Sequence, residues 1–372
     1  MLDEQLPRLD VGKAPKYNLA AHSLSSNPMR TKMNFTGILS KLAVASLVVV
    51  ASLEARAQGD PLYNLNQSPY SDPSSSFEFA TSPSLASFNS TLYIAFTSND
   101  GTNTVNVTST TNGTTFTGPT SLSVGAQSGT APAIAVFNNQ LWLAYVGTNG
   151  DLYTAYSSNG TSFSAPILAQ YEVSNDQLEP IVANSSPTLA VYNSQLWIGV
   201  VQYTSGSKTS VDSFIYQTNG YFKETTICGT SPDGALPQVG AAVGMAVFNN
   251  LLYYAYQSQG GEGGHTLYFC STNGSSSSYY RPQSGGSYIQ VGGGVSAAVW
   301  GGSLYFNYKA YNSHNLTITE VAADDSSTTN DYSTLEINGN QEINPSAGVL
   351  GTTYYVAFTQ NNSGHHLTMT EN

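Results

Sequence analysis

Three histidines recur in one local context: His265 in "HTL", His314 in "HNL" and His365 in "HHL", each two residues before a leucine that opens an apolar segment; His366 stands beside the third. Imidazole titrates near neutral pH and serves as metal ligand, base or hydrogen-bond partner. Tyr256 and Tyr308 end the segments that precede His265 and His314. A tyrosine and a histidine facing each other across a hairpin offer a flat apolar ring and a polar edge, which suits a sugar. A second group is acidic: Glu172, Asp176 and Glu179 in "AQYEVSNDQLEPIVANSSP" (169–187). Two such carboxyls can divide acid and base work at a glycosidic bond, or they can bind Ca2+. Solvated loop acids are the commoner explanation of such a run. No Walker sequence, Gly-x-Ser-x-Gly elbow or close Cys/His spacing is present, and the glycines at 292–294 lack a strand–helix context.

These side chains need a scaffold, and the sequence writes it six times. The segments "LYIAF" (92–96), "LWLAY" (141–145), "LWIGV" (196–200), "LYYAY" (252–256), "LYFNY" (304–308) and "YYVAF" (354–358) start 49, 55, 56, 52 and 50 residues apart. Each follows another β-prone segment: "SLASF", "AIAVF", "TLAVY", "GMAVF", "SAAVW" and "SAGVL". The strings between them, Asn89-Ser90, Asn138-Asn139, Asn193-Ser194, Asn249-Asn250, Gly301-Gly302 and Gly351-Thr352, tolerate the positive φ of tight hairpins. A third strand follows each pair, and a weaker fourth follows in most. No segment has sustained helical periodicity. Four strands in a unit of about 50 residues, repeated in a ring, describe propeller blades. The reading is an all-β, six-bladed β-propeller over residues 58–372, with blades starting near 83, 132, 187, 243, 295 and 345. The last unit lacks a fourth strand, and the segment "SSSFEFA" (74–80) is expected to supply it and close the ring.

The architecture constrains the histidines. A third strand lies ~14 Å from the axis at three spacings of ~4.8 Å, so equivalent atoms on adjacent blades are also ~14 Å apart. A Zn–N bond is ~2 Å, so the three cannot share one ion. No cofactor or metal is expected, and Ca2+ at the loop acids has no further support. Tyr93, Trp142, Trp197, Tyr253, Tyr305 and Tyr355 fill one position in every unit, which points to blade-on-blade packing.

"TTNGTTF" (110–116) and "SSNGTSF" (157–163) join third to fourth strands, with Phe116 and Phe163 placed to pack back beneath their blades. Here the chain resembles the Asp-box, sialidase-type propellers, whose equivalent hairpin carries Ser-x-Asp-x-Gly-x-Thr-aromatic. Asn159 replaces the acid, and Gly160 follows it directly. The resemblance implies a structural fold-back remote from any active site. It does not imply sialidase activity, because those enzymes hold a carboxylate with three arginines and only Arg281 follows residue 57. Six-bladed fucose lectins look similar in repeat length but use an arginine, a glutamate and an aromatic residue at each site, so their specificity does not transfer.

Residues 1–57 read as an over-extended start plus a secretory signal: basic residues, the apolar run "LAVASLVVVASL" (42–53), then small residues, with cleavage after Ala57. The run is short for a membrane span. The expected location is extracellular or periplasmic. After residue 57 four cations (Lys208, Lys223, Arg281, Lys309) face nineteen acids, a net charge of −15, which disfavours nucleic acid and anionic membrane. Cys228 and Cys270 are expected ~16 Å apart along their strands, too far to bridge, and hence to be two free buried thiols. The functional expectation is a secreted, lectin-like binding module rather than an enzyme, with repeated shallow glycan sites at Tyr256, His265, Tyr308, His314 and His365. A glycoside hydrolase using Glu172, Asp176 and Glu179, and a protein-interaction propeller without a small ligand, are the alternatives.

Overall fold

The computed structural model describes residues 70–71, 78–173, 177–205, 208–225, 228, 236–238, 241–259, 264–284, 286–313, 316–321, 329–335, 344–359 and 367–371. Residues 1–57, Asp176, His314, His365 and His366 lie outside them. Residues 56–372 form a compact unit of six blade sheets built from antiparallel strands, the third extended by a strand pair joined to it in parallel, plus a separate two-stranded hairpin, with no helix among the described residues. The first strands of the blades are Ser84–Phe88, Ala133–Phe137, Thr188–Tyr192, Gly244–Phe248, Val291–Trp300 and Ser346–Leu350. Each touches the next and the last touches the first, which closes a six-bladed β-propeller.

Local sequence explains each blade. All six turns between first and second strands adopt positive φ, for example 49° and 56° at Asn138 and Asn139, 48° and 61° at Asn249 and Asn250, and 62° at Gly351. That left-handed geometry suits Asn and Gly. Second strands are buried on both faces, so alternate residues serve different interfaces. In the first blade Leu92, Ile94 and Phe96 pack toward blade six, with Tyr355 and Met369. Tyr93 and Ala95 pack toward blade two, with Ile134, Leu141 and Leu143. The pattern continues with Trp142 between blades two and three, Trp197 between three and four, Tyr253 between four and five and Tyr305 between five and six. The recurring aromatic is therefore blade-to-blade packing, at one position per interface.

The Asn-Gly phrases serve the same purpose. Asn159 Oδ1 accepts hydrogen bonds from the Thr161 and Ser162 amides at 3.0 and 2.9 Å, and Ser157 Oγ accepts one from the Gly160 amide at 2.9 Å. The turn lies against the neighbouring blade: Tyr93 Oη donates to the Asn159 carbonyl at 3.4 Å. In the first blade Asn112 repeats the device, and Gly113 lies against Tyr355. Phe163 packs in the interface between blades one and two, and Phe116 in that between blades six and one.

Two expectations are corrected. The strand that completes the last blade is Tyr70–Ser71, with Tyr70 opposite Met369 and Ser71 opposite Thr368, not residues 74–80. Phe79 instead bridges to Ser98 at the end of the first blade and is fully buried against Phe96, with ring centroids 4.3 Å apart. Burying Phe79 at the junction of first and last blades outweighs its β propensity as an edge strand. The cysteines are not free: Cys228 and Cys270 form a disulfide, with Cα atoms 6.1 Å apart. The fourth strand of blade three ends at Thr225, and Cys228 lies beyond it, buried with Tyr268, Cys270 and Val201 between blades three and four. A separation of ~16 Å holds only for a fourth strand that continues to Cys228, and this one ends before it.

Buried phenols set an alkaline limit. Burial pushes the Tyr254 and Tyr354 hydroxyls far above their ordinary pKa of 10.0. It also raises Tyr145, with help from Tyr153, and Tyr355, with help from Glu371, to about 12. A phenol whose pKa is raised by folding contributes stability that is complete below pH 10 and is lost as pH rises through the folded value. The last part of the tyrosinate absorbance should therefore appear together with loss of the β-sheet circular dichroism, above about pH 10; complete tyrosine ionisation with the fold intact contradicts this.

Candidate functional site

The side chains best placed to meet a ligand lie between blades four and five, outside the repeat. Blade four ends with Ser277–Tyr280, and the chain then makes a small hairpin, Gln283–Ser284 with Ser287–Tyr288, before entering blade five. Gly286, at φ 82°, allows its turn. The returning arm docks on blade four: Thr266 bridges Gln290, and the Val291 amide donates to the His265 carbonyl at 2.7 Å. The Tyr311 amide, from blade five, donates to the Gln290 carbonyl at 3.2 Å.

His265 sits at the turn entering the third strand of blade four, in the left-handed region at φ 58°. For a residue with a Cβ this costs about 1 kcal/mol and requires compensating contacts. Its ring stacks on Tyr311 of the next blade, with centroids 4.0 Å apart and planes 19° apart. Nδ1 contacts Nε2 of the buried Gln257. Nearby, the Arg281 guanidinium lies 3.4 Å from the Tyr288 ring centroid and 5.7 Å from that of Tyr268. Thr266, Ser287, Tyr288 and Gln290 line an open groove of about 570 Å3.

The other residues singled out in the sequence are placed differently. Tyr256 and Tyr308 are each 1% exposed. Tyr256 stands opposite Tyr268, not His265, and stacks on it at 5.9 Å. The Tyr308 and Thr319 hydroxyls are 2.7 Å apart. Both tyrosines belong to inter-blade layers, so a shallow rim site does not include them. Gln170–Glu172 pairs with Leu178–Pro180, and the pair is added to the outer edge of blade three through Tyr171 beside Phe222. Glu179 stands opposite Tyr171 and Glu172 opposite Leu178. Cross-strand partners share a face and neighbours alternate, so Glu172 and Glu179 project from opposite faces and cannot act as a pair on one bond.

Asp212 and Glu224, on the third and fourth strands of the same blade, were not singled out, because strand acids carry no spacing signal. Asp212 is buried and accepts a hydrogen bond from Ser210 Oγ at 2.8 Å. Burial raises its carboxyl pKa, and Glu224 is raised by partial burial and then by the Asp212 charge. A carboxyl with a raised folded pKa contributes stability that is complete below its ordinary range and lost as pH rises through the folded value. Asp212→Asn should therefore raise the melting temperature at pH 7 by roughly 2 °C and flatten its decline between about pH 4 and 7; a lower melting temperature refutes the assignment.

At the axis, the starts of the six first strands enclose a cavity of about 100 Å3, lined by residues such as Ser84, Pro132, Thr188, Ser296 and Asn344, with no ionisable side chain among its described walls. Serines there join blades: Ser84 Oγ accepts from the Ile134 amide at 3.1 Å, Ser186 Oγ from the Ala131 amide at 2.8 Å and Ser82 Oγ from the Asn344 amide at 2.9 Å. Among the described residues no group of three or more His, Cys, Asp or Glu could hold a metal ion, and no helix is long and apolar enough to cross a membrane.

These features define a six-bladed β-propeller. No family model matches the sequence, and no curated protein matches it. Solved structures do share the fold. A Dyadobacter fermentans protein of unknown function aligns with a TM-score of 0.61 at 14% identity, over 81% of this chain and 96% of that one. A lectin from Aleuria aurantia, in complex with Fucα1-6GlcNAc, aligns with a TM-score of 0.53 at 12% identity, over 79% and 96%. A Trypanosoma rangeli sialidase, in complex with the inhibitor DANA, aligns with a TM-score of 0.55 at 12% identity, over 84% of this chain and 58% of the sialidase. At these identities the likeness is one of fold.

Proposed function

We propose that this chain is an exported carbohydrate-binding propeller, released by cleavage after Ala57 and folded as one domain from residue 58, with a glycan or polysaccharide as its partner. The observation that carries the reading is the open groove between blades four and five, where an exposed tyrosine ring stands beside hydroxyl and amide side chains. Sugars are bound by that combination: a flat apolar ring under the C–H face and a few polar groups for orientation. Sugar-binding neighbours of the same fold, the Aleuria lectin and the Trypanosoma sialidase, lend support. Kinship with the Asp-box propellers is supported by the Asn112 and Asn159 hairpins. The disulfide suits export, since such bonds persist in oxidising compartments.

A glycan array with the purified protein tests the reading: binding to at least one glycan above background is expected, and a blank array rejects it in favour of a protein partner.

A further inference from the structure

We infer that the groove between blades four and five is a single binding subsite for a neutral pyranose ring, with Tyr288 as its stacking platform. The inference rests on the carbohydrate-binding reading and adds the place, the number and the chemical class.

Tyr288 is among the few large apolar side chains left exposed, at 37%, although Arg281 already lies against its ring. A guanidinium at 3.4 Å from the centroid interacts favourably with the aromatic face and restricts the ring's rotation. A ring fixed in this way loses little conformational freedom when a ligand stacks on it, and preorganisation of this kind raises affinity. The exposed walls, Ser287 and Gln290, supply hydroxyl and amide groups suited to sugar hydroxyls, over the buried Thr266.

The backbone beside the groove wall Thr266 is fixed for reasons that a turn alone does not require. His265 holds a left-handed backbone and bridges two blades through Tyr311, while Gln257 fixes the imidazole edge. Among the described residues the Oε1 atom of Gln257, buried beside His265, has no hydrogen-bond partner. Strain and an unsatisfied buried amide oxygen next to the groove wall Thr266 indicate positioning for use.

Charge selects the class. The four lining residues are uncharged, although the Arg281 guanidinium sets one positive charge against the platform ring. Nineteen acids against four cations after residue 57 oppose the approach of an anionic polymer, so a neutral ring is favoured over a uronate. The site occurs once because its platform stands on a two-stranded hairpin separate from any blade sheet, whereas the other described inter-blade strand pair, Gln170–Glu172 with Leu178–Pro180, joins the sheet of blade three.

Isothermal titration of the full-length protein with cellohexaose, xylohexaose, mannohexaose, laminarihexaose and a polygalacturonate hexamer tests the inference. At least one neutral hexasaccharide should bind at one site per chain. Tyr288→Ala should weaken binding about tenfold, and Tyr288→Phe by less than about threefold. Tyr221→Ala, which removes an exposed ring on blade three, should leave it unchanged, and melting curves should show each variant folded. Full affinity in Tyr288→Ala overturns the site while the carbohydrate reading stands. Several equivalent sites per chain overturn its singularity, and preference for polygalacturonate overturns the neutral class. Failure of every probe, together with a blank array, removes both readings.

Discussion

Replacing Cys228 and Cys270 together with alanine should lower the unfolding free energy by about 4 kcal/mol. The bridge spans 42 residues of sequence, and closing a loop of that length removes much of the freedom of the unfolded chain. The covered segment runs from the end of blade three through the first two strands of blade four into its third. Both sulfurs are buried in the layer between the two blades, so the bond also holds that interface. Urea unfolding of the wild type with and without reductant, beside the double variant, measures the effect. The reduced protein and the variant should unfold at similarly lowered midpoints. An unchanged midpoint in the variant means that packing alone holds blades three and four together.

Gly160→Ala should cost roughly 3 kcal/mol, an effect that reads blade-to-blade docking directly. At φ +76° any side chain is strained, by about 1–2 kcal/mol. A Cβ there would also lie 2.2 Å from the Tyr93 hydroxyl and 2.3 Å from Cζ, in a buried ring. Displacing that ring disturbs the layer shared with Ile134 and Leu143 and adds about 1–3 kcal/mol. Gly150→Ala is the control: its φ is +86°, but nothing lies within 4 Å of the new methyl. It should cost the backbone strain alone. If the two variants melt together, the Asn-Gly hairpin does not brace the neighbouring blade.

Both predictions depend on tertiary contacts, which mark where sequence reading stops. Strands, hairpins and the number of blades were legible because their causes are local. Alternating apolar residues on second strands record a sheet buried on both sides, and Asn or Gly at paired turn positions records positive φ. The aromatic position was legible by recurrence, since six interfaces of one kind ask for one kind of residue.

Contacts between different blades have no local cause, and there the reading ran out. The disulfide was missed because Cys228 lies past the strand end and enters a layer defined by the next blade. The closing strand was misplaced because Phe79 has a better burial site beside Phe96. Glu172 and Glu179 seemed a pair until hairpin register put them on opposite faces. Tyr256 and Tyr308 were read as ligand faces, yet neighbouring sheets bury them. His265 was singled out by its place in the repeat, but its partners, Gln257 and Tyr311, come from two blades. Tyr288 and Gln290 carried no repeat signal at all. By itself the sequence determined a closed ring of six antiparallel sheets with an acidic surface, because strand alternation, turn chemistry and charge are properties of short stretches. Only the tertiary structure decided which cysteines meet, which acids share a face and where an aromatic ring stays uncovered, because those depend on register and on what the adjacent blade buries.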